Sequence, residues 1–534
     1  MSRKNKILMV ILFIGISILT VMPFLLEHKI NVNDDFLFHK NRLLSYYHSV
    51  MVNKDFHPMI FDGMAKGYGY AADLFYPSYS LLPFVLFYSL GLGFIASYYL
   101  LIGTYTFATL LVGFYAAQYF FKNRRTALLA TVVYACSTYR LSDLFIRGDL
   151  GEAGAFIFLP LVILGFYKVY KNEKHGILTL APGLGLVTSI HPMTTLICVY
   201  IIGIINIYVL IKKEKSIEFV KRQFDAYLFA IMLASATVFP VLEQMASEKY
   251  NFMGHHSLWG TGLDFSLSKL IYGSMSNAAG VWNNSSPNVG PLLMLAVIIG
   301  LFAYRSNLPI IRRLLIITIL FMVGSTNLLI WPMLKDSWFS NIQFEWRILI
   351  FATLFGSLLL AKMSETNQHK YFKSLIFLIL MLAMTFNFSV SNNFKANNLT
   401  LTNQNITKKY NTAIGGGLDY LPKAVNYKAL REKKSSGSFN FDQPTIVVFP
   451  KIYYKGYVVQ TDKNQTIPTY ASHGLVAAKI MPGKMVYQVV YKKTLIQKVS
   501  GYITLLSWLA VGIYLGFIWK RPVVILGNKG RKNK

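Results

Sequence analysis

The sequence predicts a polytopic α-helical membrane protein with a small β-rich domain outside the membrane. Three observations lead there. Of 534 residues, 54% are hydrophobic and 14% charged, where a soluble chain carries about a quarter charged; mean hydropathy is +0.43. The apolar residues come in blocks of roughly 17–25, the length that crosses a hydrocarbon core. One stretch, 391–500, breaks this pattern with runs of Val, Ile and Tyr punctuated by Pro and Gly, which read as strands.

The elements follow in order. The first apolar block, Ile7 to Leu26, is long for a signal core and no small-x-small site follows it, so it reads as a retained span. Arg3, Lys4 and Lys6 place the N-terminus in the cytoplasm. The first outer loop, 27–93, then begins outside. Tyr79 to Phe121 is too long for one helix; it divides into a half-helix at 79–90, a break at Gly91 and Gly93, and a span at 94–120. That returns Lys122, Arg124 and Arg125 to the cytoplasm. Spans follow near 126–140, 153–170, 176–190, 192–211 and 226–242. After an outer loop at 243–288 come spans near 289–304, 313–331, 345–361 and 372–390, with Lys and Arg on the inner turns. Residues 1–390 thus form the transmembrane domain. Residues 391–500 lie outside, with strand pairs at 445–462 and 473–493. The last part, 501–534, is a final span and a basic cytoplasmic tail. The count is about twelve transmembrane helices in a multi-pass cell-membrane protein with both termini cytoplasmic.

The formal net charge is +30. In a soluble protein it would raise nucleic acid as a partner. Here the bases punctuate apolar blocks and serve orientation, so membrane lipids are expected and nucleic acid is not. The block 391–500 carries about a dozen more bases than acids, a balance that favours anionic headgroups or anionic polymers. Cys136 and Cys198 both lie in apolar segments and form no disulfide or metal pattern.

Sorted by side, the ionisable residues near the membrane gather on the outer face. The stretch "NVNDDFLFHKNRL" (31–43) supplies Asp34, Asp35, His39 and Arg42, and "FDGMAKGYGYAADLFYP" (61–77) supplies Asp62 and Asp73. "RLSDLFIRGDLGEAGAF" (140–156) supplies Arg140, Asp143, Arg147, Asp149 and Glu152. "SIHP", "VLEQ" and "FEWR" add His191, Glu243, Glu345 and Arg347. Ionisable groups at membrane depth are costly and usually functional. Each also has a plain structural reading. Glu152 would pin helices through Arg147 or Arg140, Arg347 would snorkel beside Trp346, and His191 would cap a helix turn before Pro192. Asp62 and Asp149, beside glycines, read as turn residues, and His255 and His256 as loop residues without metal-ligand spacing. Together the group reads as one outer cavity with carboxylates for proton transfer and arginines for phosphate. Asp35, His39 and Arg42 are spaced i, i+4, i+7 and would share one helix face. Asp34 would cap that helix.

The order of these motifs resembles the integral-membrane glycosyltransferases of the GT-C class. More closely, it is similar to the bacterial YfhO-like membrane proteins and the related group labelled pyruvoyl-tetrahydropterin-synthase-related. The residues that carry the resemblance are "DDFLFHKNRL", "GYGYAADLFYPSYSLLPF", "STYRLSDLFIRGDLGEAGAFIFLPLVILGFY", "SIHPMTTL", "FEWRILIFA" and, in the outer block, "LDYLP" (418–422). The resemblance implies a GT-C-like fold and transfer of a sugar from a polyprenyl-phosphate donor to an extracytoplasmic acceptor, a cell-wall polymer or glycolipid. It implies a catalytic acid in the first outer loop, which by position is Asp34 or Asp35; the helical spacing leans to Asp35. Substrate binding would fall to His39, Arg42, Asp73, Arg147, Glu152, His191 and Arg347. Some enzymes of the class use a divalent metal, Mg or Mn, but no ligand set is readable here, and cofactor use stays open. Two other readings remain beside this one: a multi-span transporter or flippase of a lipid-linked glycan, and a non-catalytic membrane scaffold for cell-envelope assembly.

Overall fold

In the computed structural model the described residues are 2–520, apart from 33–34, 214–216, 255–264, 280–286, 306–307, 329–330, 335–336, 366–367, 407–412, 416–417, 432–435 and 463–464. Asp34, His255 and His256 therefore lie outside the described residues.

Among the described residues seven helices are long and apolar enough to cross a membrane, or eight if one bent pair is a single span. Helix α1 (Arg3–Glu27) is the first. After it come α2 (Phe36–Met51), a short α3 (Leu82–Ser89) and α4 (Phe94–Phe120). The half-helix and break expected before α4 are present. Gly91 takes a φ of +83°, and the start of α4 is tied down by Asn403, whose Oδ1 accepts from the Ile95 N–H at 3.1 Å.

Helix α5 (Arg124–Ala135) is followed by α6 (Leu150–Tyr170), α7 (Ile177–Ile190), α8 (Pro192–Ile211), α9 (Ile217–Leu233) and α10 (Ser235–Ser247). Then come α11 (Leu267–Ser276), α12 (Pro291–Phe302), α13 (Pro309–Gly324), α14 (Leu349–Met363), α15 (Gln368–Ala396) and α16 (Leu495–Lys520).

The expected twelve spans are corrected by these lengths. Helices α5 and α12 have 12 residues each, α7 has 14 and α13 has 16. At 1.5 Å per residue these reach about 18–24 Å, short of a core about 30 Å thick. The stretch expected at 126–140 stops at Ala135 because the chain turns into a separate helical turn, Thr138–Ser142, and a π-turn, Asp143–Arg147. Both are buried, which is how non-helical backbone is tolerated at membrane depth. The span expected at 226–242 breaks at Ala234, where α9 and α10 meet at 82°. The free backbone groups at that break are met by α16. Trp508 Nε1 donates to the Leu233 carbonyl at 3.0 Å, and the Ala236 N–H donates to Thr504 Oγ1 at 2.9 Å.

Small residues set the closest helix contact. A Cβ on Gly165 of α6 would lie 2.4 Å from both the Cα and N of Leu180 on α7, and one on Gly183 would lie 3.0 Å from the Val162 N. Close backbone approach through small residues is how helices pack tightly in lipid. Gly165→Ala is therefore expected to destabilise the protein by about 1–3 kcal/mol, because the obstacle is backbone and cannot rotate away. Thermal unfolding in detergent measures it.

The β-rich part occupies a narrower range than 391–500: 391–396 continue α15, and 495–500 begin α16. Two short strands, β1 (Ile30–Asn31) and β2 (Thr400–Leu401), pair antiparallel just past the ends of α1 and α15. Seven more strands follow. They are β3 (Ser436–Phe441), β4 (Thr445–Ile452), β5 (Tyr457–Thr461), β6 (Thr466–Pro468), β7 (Tyr470–Ser472), β8 (Leu475–Ile480) and β9 (Gly483–Tyr491). They form two antiparallel sheets, ordered β3-β9-β5-β6 and β4-β8-β7. Neither expected stretch pairs within itself. Instead β4 pairs with β8 and β5 with β9, so the two stretches interlock across both sheets.

Candidate active site

The segment 136–149 turns back into the protein between α5 and α6, and its charges cannot reach solvent. Arg147 stands at their centre, 4% exposed. Its Nη1 donates to Asp143 Oδ1 at 2.7 Å and to Glu152 Oε2 at 2.9 Å; its Nη2 donates to Asp149 Oδ2 at 3.2 Å. A guanidinium offers five N–H groups in a planar fork, and here three carboxylates draw on its two terminal nitrogens. Glu152 is shared further. Its Oε1 accepts from the Tyr139 hydroxyl at 2.6 Å, and its Oε2 lies 3.4 Å from Arg347 Nε.

Asp149 caps α6. Its Oδ1 accepts from the N–H groups of Gly151 at 2.9 Å and Glu152 at 3.0 Å, and from the Tyr76 hydroxyl at 3.2 Å. Burial acts to raise this carboxyl, and Arg147, His191, His39 and Arg347 together more than reverse it, so Asp149 is held below the ordinary carboxylate range. The turn reading of Asp149 therefore covers half of its role. The missed signal is the spacing Asp149-x-x-Glu152, a capping-box pattern at a helix start. In the structure the Glu152 half of that box is diverted to the two arginines.

Asp35 is brought to this cluster from the other side. The β1–β2 pair holds Ile30 and Asn31, Asn31 Nδ2 donates to the Phe145 carbonyl at 3.2 Å, and the Asp35 N–H donates to the Arg147 carbonyl at 3.2 Å. Gly148, at φ +69°, lets the first turn of α2 come close; a Cβ there would meet Phe36 Cβ at 3.2 Å. Asp35 stands at the N-cap position of α2 but its side chain makes no capping bond. Its carboxylate lies 3.9 Å from Arg147 Nη2 with 47% of its side-chain surface exposed. It sits in an open recess: protein surrounds it, yet solvent reaches it. Burial in that recess and the charge of Asp149, opposed by Arg147 and Arg347, raise its pKa to about 6.

The structure thus brings Asp35, His39, Arg147, Glu152, His191 and Arg347 together. His39 Nε2 lies 3.9 Å from Asp149 Oδ1. His191, at the start of α8, has its Nδ1 2.7 Å from Thr194 Oγ1, and burial lowers its pKa to about 4. Arg347 donates from Nη1 to Gln343 Oε1 at 2.8 Å and to the Ile342 carbonyl at 3.3 Å. Arg42 and Asp73 stand behind this group. Arg42 lies 4.1 Å from the Tyr76 ring centroid and donates to the Tyr76 carbonyl at 2.6 Å. Asp73, 1% exposed, faces Ser78 and Arg42, and burial raises its pKa to about 7.

Tyr76 and Tyr139, named above, also belong here although the expected group lacks them. Asp419, in the "LDYLP" motif, adds a charge that acts on Asp35. Arg140 faces away from the cluster, to the Ala135 carbonyl at 2.8 Å.

Tyr76 reaches Asp149 only because position 151 has no side chain: a Cβ on Gly151 would fall 1.4 Å from the Tyr76 oxygen. Gly151→Ala is expected to evict the Tyr76 ring from its place between His39 and His191, whose centroids lie 5.7 Å and 5.9 Å from it. The outcome should be a lower melting temperature in detergent and quenched-to-exposed tyrosine fluorescence.

These carboxylates do not fit a divalent cation. Arg147 occupies the point on which Asp143, Asp149 and Glu152 converge, and among the described residues no three His, Cys, Asp or Glu side chains form a metal-holding group.

No family model and no curated protein matches the chain. Among solved structures, the mycobacterial arabinofuranosyltransferase AftD, determined by cryo-electron microscopy, aligns over 74% of this chain at 12% identity with a TM-score of 0.43. The chain spans 27% of that protein's length.

Proposed function

We propose that the protein transfers a sugar from a polyprenyl-phosphate donor to an extracytoplasmic acceptor, with Asp35 as general base. One observation carries the assignment of the base. Of the four carboxylates around Arg147 among the described residues, three are buried and bonded, while Asp35 is open to solvent with no capping bond. A base must reach the hydroxyl it deprotonates and must have a pKa near the working pH; Asp35, at about 6, meets both conditions.

The reaction follows from that assignment. The acceptor O–H gives its proton to Asp35 while its oxygen bonds to the anomeric carbon. The bond from that carbon to the phosphate oxygen breaks, the phosphate leaves with the electron pair, and the anomeric configuration inverts. Arg147 is already engaged by three carboxylates, so the cation for the departing phosphate is Arg347, supported by His191. Among the described residues Arg347 makes no hydrogen bond through Nη2, which leaves two donors for an oxyanion. The position agrees with a lipid-borne donor. The recess lies where α1 ends and where α6, α8 and α14 begin, at one end of four helices that can cross a membrane.

The experiment is sugar transfer from a polyprenyl-phosphate donor by purified protein in liposomes, wild type against Asp35→Asn. A protein that transfers nothing but moves lipid-linked sugar across the bilayer is a transporter, and the proposal fails.

A further inference from the structure

We propose that His39 is a positioning residue, fixed by Arg42 as the neutral tautomer with its single ring proton on Nε2 and aimed at Asp149. The argument starts from donors and acceptors. Arg42 Nη1 lies 3.0 Å from His39 Nδ1. A guanidinium can only donate, so Nδ1 must accept and carries no proton. The remaining proton of a neutral imidazole is then on Nε2, the atom that faces Asp149 Oδ1.

The surroundings enforce this state. His39 is 1% exposed. The groups facing it are Arg42 from its own helix, the Tyr76 ring from the loop before α3, Asp149 from the cap of α6, His191 from the start of α8 and Arg147 from the π-turn. Burial first, then the Arg42 charge, lower its pKa to about 3, against the pull of Asp149. Arg42 is itself immobile: Nη2 donates to the carbonyls of Tyr76 at 2.6 Å and Pro77 at 3.2 Å and to Ser78 Oγ at 3.2 Å. Asp73 stands near, its carboxyl raised by burial against the opposing pull of the Ser78 hydrogen bonds and the Arg42 charge.

His39 therefore does not titrate in the working range and does not serve as a base. Its proton steadies Asp149, Asp149 holds Arg147, and Arg147 lies beside the Asp35 carboxylate. Without that proton Arg147 turns further toward Asp149 and away from Asp35, and the pKa of Asp35 rises.

The activity arm of the test rests on the sugar-transfer reading; the spectroscopic arm does not. Nitrogen-15 NMR of histidine-labelled full-length protein in micelles, with His39 assigned by its loss in His39→Gln, should show one imidazole with a bare Nδ1 and a protonated Nε2. That pattern should stay unchanged from pH 5 to 8. Titration within that range, or a proton on Nδ1, overturns the proposal even if transfer is confirmed. For activity, His39→Gln keeps an N–H near the Nε2 position and His39→Met does not. The Met variant should have a kcat about two- to fivefold below the Gln variant, because Nε2 faces Asp149 at 3.9 Å, a charge–dipole contact longer than a hydrogen bond. Its acid limb should also lie about half a pH unit higher. Equal kcat and equal pH profiles in two folded variants overturn the positioning role. A wild type that transfers no sugar sinks the functional reading and leaves the tautomer to the spectra.

Discussion

Asp35→Asn is expected to cut sugar transfer by about 10²–10⁴-fold, the usual contribution of a positioned general base, while the protein stays folded. The second half of that expectation comes from exposure. Asp35 makes no capping bond and its carboxylate contacts Arg147 only at 3.9 Å, so an amide of the same shape costs little structure. The wild-type pH profile should carry the same mark. In the proposed reaction Asp35 works only when unprotonated, so activity is expected to be full above its pKa and to fall as the pH drops through about 6. In Asp35→Asn the residual activity should be flat through that range. Polymer-bound sugar and thermal stability, measured on the same preparation from pH 5 to 8, give both answers. Full transfer by the Asn variant would remove Asp35 from the mechanism.

Arg147→Met should have the largest effect on stability. It leaves Asp143, Asp149 and Glu152 converging on a site that no longer holds a cation, at 0–5% side-chain exposure. Removing one partner of a buried ion pair typically costs about 3–5 kcal/mol, and here three carboxylates lose their shared cation at once, although Glu152 keeps Arg347 and Tyr139 and Asp149 keeps its helix cap. The triple variant Arg147→Met, Asp143→Asn, Glu152→Gln should recover part of the loss, because it removes two buried charges with the third. Unfolding temperature in detergent is the measurement. An Arg147→Met protein that melts with the wild type would mean the carboxylates are protonated and the ion network is not what holds this turn.

Much of this architecture was legible in the sequence, for reasons that differ by element. The half-helix before α4 could be read because Gly91 and Gly93 interrupt an apolar run too long for one span. Hydropathy sees composition and length, not backbone continuity, which is why 126–140 read as one span although the helix ends at Ala135. The bend at Ala234 left no Pro or Gly as a marker; it is held by Thr504 and Trp508 from a helix some 270 positions away. Strand content at 445–493 was readable, but the exchange of partners between β4, β5, β8 and β9 was not. Period-2 patterns give faces and leave partners open.

The site divides in the same way. Sorting charges by membrane side gathered Asp35, Glu152, His191 and Arg347, because each stands next to the end of an apolar block. It could not rank the acids, since Asp149 beside Gly148 has the look of any turn. Nor could it locate Tyr76, whose place depends on the missing side chain of Gly151.

The pairing of β1 with β2 bears on the order in which the chain is made. Ile30 meets Leu401, Asn31 meets Thr400, Lys40 Nζ donates to the Ile406 carbonyl, and Asn41 donates to the Ala413 carbonyl. All four join residues 30–41 to a segment about 370 positions later. Domains fold as they leave the ribosome, N-terminal parts first, and contacts distant in sequence close late. The loop that carries Asp35 thus waits, threaded but unclasped, until three quarters of the protein has been synthesised. The recess closes only then, so a partly made chain already anchored in the bilayer has no finished recess to expose.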